Sequence, residues 1–256
     1  MQAKQGLAGG LVDQGSLAER LGRYLPLGEA ERRALAALEE GERTVARGAV
    51  LRAEQAVARE FYVVRKGWLY SSVMLPEGNR QILGFHLPGD LAGDAALPWS
   101  HAPFSLTAAT EVTVRVVDRT SLRGLFERHP RLALSLHALA QVERTALAER
   151  LASVGRSSAM SRVAALLVDL WRRLARAKLI PPEGVILPLT QEEIGDAVGL
   201  TAVHVNRMMR RLVETGLIAR DGMRLRVLNE AGLARIGNVG GREGTPDFGW
   251  LPATAG

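Results

Sequence analysis

The sequence predicts an α+β fold: a β-rich N-terminal half, a long helix, and a small C-terminal helical domain carrying a β-hairpin. Three observations predict it. β-branched and aromatic segments such as Phe61-Tyr62-Val63-Val64, Trp68-Leu69-Tyr70-Ser71-Ser72-Val73 and Val112-Thr113-Val114-Arg115-Val116-Val117 crowd together, with Gly48, Gly67, Gly78, Gly84, Gly89 and Gly93 between them, as in a sandwich or barrel. After Pro130, no proline or glycine intervenes as far as Val154. Between Thr190 and Leu228, two cappable helices meet at Gly199 and a hairpin signal, Asp221-Gly222, follows. The 256 residues, 47% hydrophobic and 23% charged, fall in the normal globular range and suffice for a sizeable core.

Taken in order, Met1 to Gly15 shows no basic region leading into an apolar stretch, so no secretory signal is expected there. No run reaches the roughly 18 apolar residues of a membrane span, so the expected location is cytoplasmic with no membrane partner. Ser16 and Glu19 have capping-box spacing ahead of Leu17, Leu21 and Tyr24, which makes residues 1–27 an arm and a helix. A second helix runs from Glu29 to Glu39, ending near Gly41. The β-rich region then occupies the rest of 28–129, with Pro76-Glu77-Gly78-Asn79 as a hairpin turn. In the long helix, 130–156, the residues Leu132, Leu136, Leu139, Ala146, Leu147 and Val154 share a face that Glu143 and Arg150 interrupt. Such a stripe serves either its own domain or a dimer seam.

Residues 157–236 form the last domain. Ser157 or Ser158 caps a helix reaching about Ala177, with Val163, Leu166, Leu167 and Leu170 inward. Pro181-Pro182-Glu183-Gly184 breaks it, and Val185-Ile186-Leu187 reads as a short strand. Thr190 and Glu193 form a capping box on a first short helix that buries Ile194, Ala197 and Val198, and Gly199 ends it in the left-handed conformation. Thr201 caps a second helix with Val205, Met208, Met209 and Leu212 inward. Ala202, Val203, His204, Asn206, Arg207, Arg210 and Arg211 remain for the exposed side. A helix entering the major groove of double-stranded DNA needs this order, with short or polar groups first and phosphate-holding arginines later. A hairpin wing follows, with Arg220, Arg224 and Arg226 in reach of phosphates. Thr190, Gln191 and Thr201, at the helix starts, join the DNA-contacting set. Asn229 caps a last helix through Leu233 and Ile236. Residues 237–256 lack periodicity and are expected to be a flexible tail, in which Phe248 and Trp250 are the candidates for docking.

Charge agrees with a polyanion partner. The net charge is +6, and between Arg156 and Leu228 there are 12 Lys/Arg against 7 Asp/Glu. The absence of cysteine excludes disulfides, thiol nucleophiles and ordinary iron–sulfur clusters. No triad, metal-ligand spacing or phosphate loop is present, so an enzyme is not expected.

From about Leu27 to Ile236 the chain resembles the Crp/Fnr family of transcription regulators. The most specific part is Leu189 to Leu212. The β-rich half resembles the family's cyclic-nucleotide-binding roll through Gly67, Glu77-Gly78, Pro88-Gly89-Asp90 and Gly93-Asp94. The resemblance implies a homodimer joined by the long helix, a two-fold-symmetric operator, RNA polymerase as a partner, and a small-molecule effector in a pocket including Gly93, Asp94 and Leu147. It also marks departures. Ala202-Val203 stands where members carry an acidic base reader, with Arg207 retained. Ala102-Pro103 stands where the phosphate-binding arginine belongs, and Leu147-Ala148 where hydroxyls face adenine. Cyclic AMP is therefore not the expected ligand. Haem is disfavoured as well, although His86, His101, His129 and His137 are available as axial ligands. The alternative, a cyclic-nucleotide-binding regulatory subunit without a DNA role, has the missing arginine against it.

Overall fold

The structure is a computed structural model and describes residues 15–39, 41–239 and 246–253, without the side chains of 153–156. The leader reading for the first residues, and Val154 on the long helix, fall outside the described set. Two short helices lead in: α1 (Leu17–Gly22) and α2 (Glu29–Leu38). The Ser16 hydroxyl accepts from Glu19 N at 3.1 Å and the Glu19 carboxylate accepts from Ser16 N at 3.3 Å, so the expected capping box is present.

Eight strands follow: β1 (Gly41–Val45), β2 (Val50–Arg52), β3 (Glu60–Lys66), β4 (Leu69–Met74), β5 (Arg80–His86), β6 (Leu91–Ala92), β7 (Ser105–Ala108) and β8 (Val112–Asp118). They form two antiparallel four-stranded sheets, ordered β1-β8-β3-β6 and β2-β7-β4-β5. Strand β3 explains why its sequence is continuously apolar. Tyr62 and Val64 point into the roll, against Leu69, Leu106, Ala108 and Val114, while Phe61 and Val63 point outward onto the helices. A strand covered on both faces needs no polar alternation. The outer face of the second sheet is covered too: Trp68, Tyr70, Ile82 and Phe85 join the core of the C-terminal domain.

Helix α3 (Arg119–Arg128), N-capped by Asp118, leads into α4 (Pro130–Arg156). Leu132, Leu136 and Leu139 of α4 are buried with α1, α2 and α3. The apolar face then divides: Leu147 is 54% and Leu151 74% exposed, one turn apart, and Leu134 is 39% exposed elsewhere on the helix. Glu143 and Arg150, expected to interrupt the face, instead serve polar contacts described below.

The C-terminal domain comprises α5 (Ala159–Arg176), β9 (Val185–Ile186), α6 (Gln191–Val198), α7 (Ala202–Glu214), β10 (Ile218–Asp221), β11 (Arg224–Val227) and α8 (Glu230–Ile236). Strand β9 pairs with β11 and completes a three-stranded wing. The domain is latched to the roll. Arg80 Nε donates to Asp196 Oδ2 at 2.8 Å, and Gln81 Nε2 donates to the Asp196 carbonyl at 2.6 Å.

The expectation of a structureless tail is corrected for residues 246–253. Phe248 and Leu251 are buried in the N-terminal core, and Phe248 stacks on Tyr24 with centroids 5.0 Å apart. Arg131 fixes the segment by donating to the Pro252 carbonyl at 2.5 Å while it holds both Glu31 oxygens at 2.8 Å. The cause is an aromatic partner more than two hundred residues away, which no local pattern reveals. Trp250, the other docking candidate, is 62% exposed.

Candidate nucleic-acid interface

Helix α6 begins at Thr190, whose hydroxyl accepts from Glu193 N at 3.0 Å while Thr190 N donates to the Glu193 carboxylate at 2.7 Å. Gly199 ends it with φ +65°, the left-handed geometry that costs glycine nothing. Gly195 is a second requirement, which sequence reasoning missed. A Cβ there would lie 2.3 Å from the Leu200 carbonyl oxygen, so the turn closes only over glycine. The signal was present, because glycine inside a helix costs about 1 kcal/mol and usually marks close packing. Arg162 of α5 was also missed. Its Nη1 donates to the Val198 carbonyl at 2.8 Å and reaches that of Gly199 at 3.4 Å, satisfying orphan acceptors at the end of α6.

Helix α7 divides into two faces. Val205, Met208, Met209 and Leu212 are buried, whereas Ala202, Val203, His204, Asn206, Arg207, Arg210 and Arg211 are exposed. Val203 is 79% exposed. Thr201 N-caps the helix, and its hydroxyl lies 3.0 Å from His204 Nδ1. That contact holds the ring so that Nε2 points away from the cap. Among the described residues, Arg207, Arg210 and Arg211 make no ion pair.

The remaining sequence-singled residues are arranged unevenly. Thr190 is exposed; Gln191 is half-buried, and its Oε1 is buried without a hydrogen-bond partner among the described residues. Arg220 is exposed at the wing and folds its Nε onto the Gly222 carbonyl at 2.9 Å. Arg224 is half-buried, 3.6 Å from Glu183 and 3.4 Å from the Gly184 carbonyl, so its charge is already engaged within the chain.

The effector residues of the roll are not brought together as expected. Gly93 has φ +81° and opens a 3₁₀ turn, Asp94–Ala96. Arg52, which sequence reasoning missed because it lies far away on β2, covers this loop. Its guanidinium donates to the Glu60 carbonyl at 2.8 Å and the Gly93 carbonyl at 3.1 Å, and a Cβ on Gly93 would meet it at 2.3 Å. Burial holds the Asp94 carboxyl above its ordinary range. Leu147 stands exposed on the outward side of α4.

Beside this loop lies a buried ionic network. Arg20 of α1 pairs with Asp90 and with Glu143 of α4 at 2.5 Å. Asp90 also accepts from Arg173 of α5, and from Leu87 N at 2.8 Å. Burial raises the Glu143 pKa, opposed by Arg20. His86 is pushed down to about 3 by burial and then by Arg173, and its Nδ1 lies 2.8 Å from the Leu91 carbonyl. A cyclic phosphate does not fit these residues. The space above the Gly93 loop is taken by the Arg52 side chain, and Ala102 is fully buried where an arginine would be needed.

Comparison with known proteins agrees with this architecture. Residues 42–129 match the cyclic nucleotide-binding domain, and residues 161–236 match the Crp-like helix-turn-helix domain. The chain is 35% identical over 175 residues to the transcriptional activatory protein AadR of Rhodopseudomonas palustris, covering 67% of this chain and 72% of that protein. It is 34% identical over 172 residues to the nitrogen fixation regulation protein FixK of Bradyrhizobium diazoefficiens, covering 67% and 71%. The solved structure of FixK2 from Bradyrhizobium japonicum superposes with a TM-score of 0.67 at 29% identity, over 79% of this chain and 98% of that one. These relatives are regulators rather than enzymes, and their DNA-binding element is the helix-turn-helix built here by α6 and α7. The chain belongs to the Crp/Fnr family of DNA-binding transcription regulators.

Proposed function

We propose that the chain acts as a homodimer reading a two-fold-symmetric operator, with an α7 helix from each protomer in successive major grooves about 34 Å apart. The observation that carries this is the outward face of α7, where Arg207, Arg210 and Arg211 stand exposed and make no ion pair among the described residues. Family members are dimeric, and the exposed pair Leu147 and Leu151, one turn apart on α4, suits a second copy of α4.

In this reading Arg207 pairs with guanine, and His204 and Asn206 address neighbouring base edges. Ala202 and Val203 lie against thymine methyls. Thr190, Gln191, Thr201, Arg210, Arg211 and Arg220 hold phosphates and set register. Arg224 joins them only by leaving Glu183. The half-site differs from that of members with an acidic reader, because Val203 cannot accept from cytosine. RNA polymerase is the downstream partner, the location is cytoplasmic, and any effector is something other than cyclic AMP, haem or an iron–sulfur cluster.

The test is binding of the purified protein to its own promoter region, measured by fluorescence anisotropy against a scrambled duplex over a salt series. Sequence-dependent affinity that falls steeply with salt is expected. Equal affinity for both duplexes overturns the reading.

A further inference from the structure

The roll is filled by the chain's own side chains, yet an open cleft of about 390 Å³ lies where the long helix meets the DNA-binding domain. Its walls are the last turns of α4, one side of α5, the end of α6 and the residues after α8. The volume falls within the range of small-molecule sites, roughly 300–1,000 Å³.

Four arginines line it (Arg150, Arg162, Arg172 and Arg176) against two carboxylates, Glu149 and Asp169. The arginines are unequally occupied. Arg150 is 3.7 Å from Asp169 and also donates to the Leu83 carbonyl, and Arg172 holds Glu230 at 2.8 Å. Arg176 is exposed and makes no ion pair among the described residues. The Nε of Arg162 is buried with no hydrogen-bond partner among them. The floor is small and apolar, with Ala165, Leu166 and Ala197.

We propose that this cleft binds a compact polyanion, phosphate- or carboxylate-bearing, held by Arg162 and Arg176, and that its occupancy is coupled to DNA reading. The coupling path is short. The guanidinium that faces the cleft is also the one that caps Val198 and Gly199, the residues from which the chain turns into α7. An anion on Arg162 therefore acts on the entry angle of the recognition helix and on the end of α4 together. The coupling, though not the site, rests on the transcription-regulator reading above.

Calorimetry of the full chain with pyrophosphate, and separately with citrate, tests the site and tells the two chemistries apart. Saturable binding of at least one is expected, weakened about tenfold or more by Arg176→Glu, as for loss of a charge-assisted contact. Arg123→Gln, an exposed arginine on α3, leaves it unchanged. Saturation by neither anion, or equal affinity in the Arg176→Glu protein, overturns the site. Operator affinity at constant ionic strength is expected to shift about fivefold or more at saturating anion, within the usual span of allosteric coupling. That shift is absent in Arg176→Glu, which separates it from competition at α7. No shift in the wild-type protein overturns the coupling. Failure to bind operator with no anion present counts against the transcription-regulator reading and leaves the calorimetry standing.

Discussion

The two functional ends of the molecule treat charge in opposite ways. In the sensor half, the buried Arg20 and Asp90 are held by the part-exposed Glu143 and Arg173, and Arg52 is buried over the Gly93 loop. On α7, Arg207, Arg210 and Arg211 are left in water beside His204 and Asn206. Buried charges are tolerated only when paired, so the first set is committed to holding elements of the chain to one another. The second set is free because its partner is another molecule. Arginines of equal count in a composition table therefore divide into structural and recognising groups by burial.

Breaking this contrast gives effects of graded size. Asp90→Ala strands Arg20 and Arg173 together, and loss of one partner from a buried ion pair costs about 3–5 kcal/mol. A fall of that size in urea-unfolding stability is expected, and a loss below about 1 kcal/mol would show that Asp90 holds nothing.

Glu39 sharpens the comparison, because it is a buried carboxylate with no ion pair among the described residues. It accepts from Leu17 N at 2.8 Å, and burial pushes it up to about 7 from its ordinary 4.5. The folded state therefore binds the proton more tightly than the unfolded one. The stabilisation is complete below about pH 4.5 and is lost as pH rises through about 7, a difference of about 3 kcal/mol. Glu39→Gln keeps the acceptor without the charge. It should raise the melting temperature at about pH 8 and change nothing at about pH 4; identical melting curves at the higher pH contradict the assignment.

On the opposite side, Arg207→Ala is expected to cost about 1–3 kcal/mol of operator binding and to relax preference at one base position. Its unfolding curve should match wild type, since the side chain supports nothing in the fold. Smallest is Arg210→Ala, which should weaken all sequences alike and lower the salt slope by about 1. A change in base preference there would move Arg210 from phosphate to base contact.

How much was legible in the sequence follows from the range of each interaction. The capping boxes at Ser16/Glu19 and Thr190/Glu193, the left-handed Gly199 and the Asp221-Gly222 hairpin depend on neighbours within a few residues, and the helix-turn-helix with its exposed face was readable from them. The signal at Gly195, a glycine inside a short helix, is local too. Arg52 over Gly93, Arg20 between Asp90 and Glu143, and Arg162 on the end of α6 join residues far apart in the chain. An isolated arginine carries no mark of which distant carbonyl it will find. The surroundings of Gly93 were illegible for that reason: the guanidinium over the loop comes from another strand. The division of the α4 stripe was likewise invisible, because periodicity places Leu139 and Leu147 alike and only the packing partners distinguish them.

The stacking of Phe248 on Tyr24 has a consequence for biosynthesis. A ribosome releases the N-terminal part of a chain first, and domains generally fold in that order as they emerge. Here the groove beside Tyr24 and Arg131 is closed by Phe248 and Pro252, which follow the whole helix-turn-helix domain in the chain. The first domain waits, with an aromatic face still wet, until those residues have emerged. A message cut short after the helix-turn-helix thus yields a regulator with a complete reading head and an unfinished sensor.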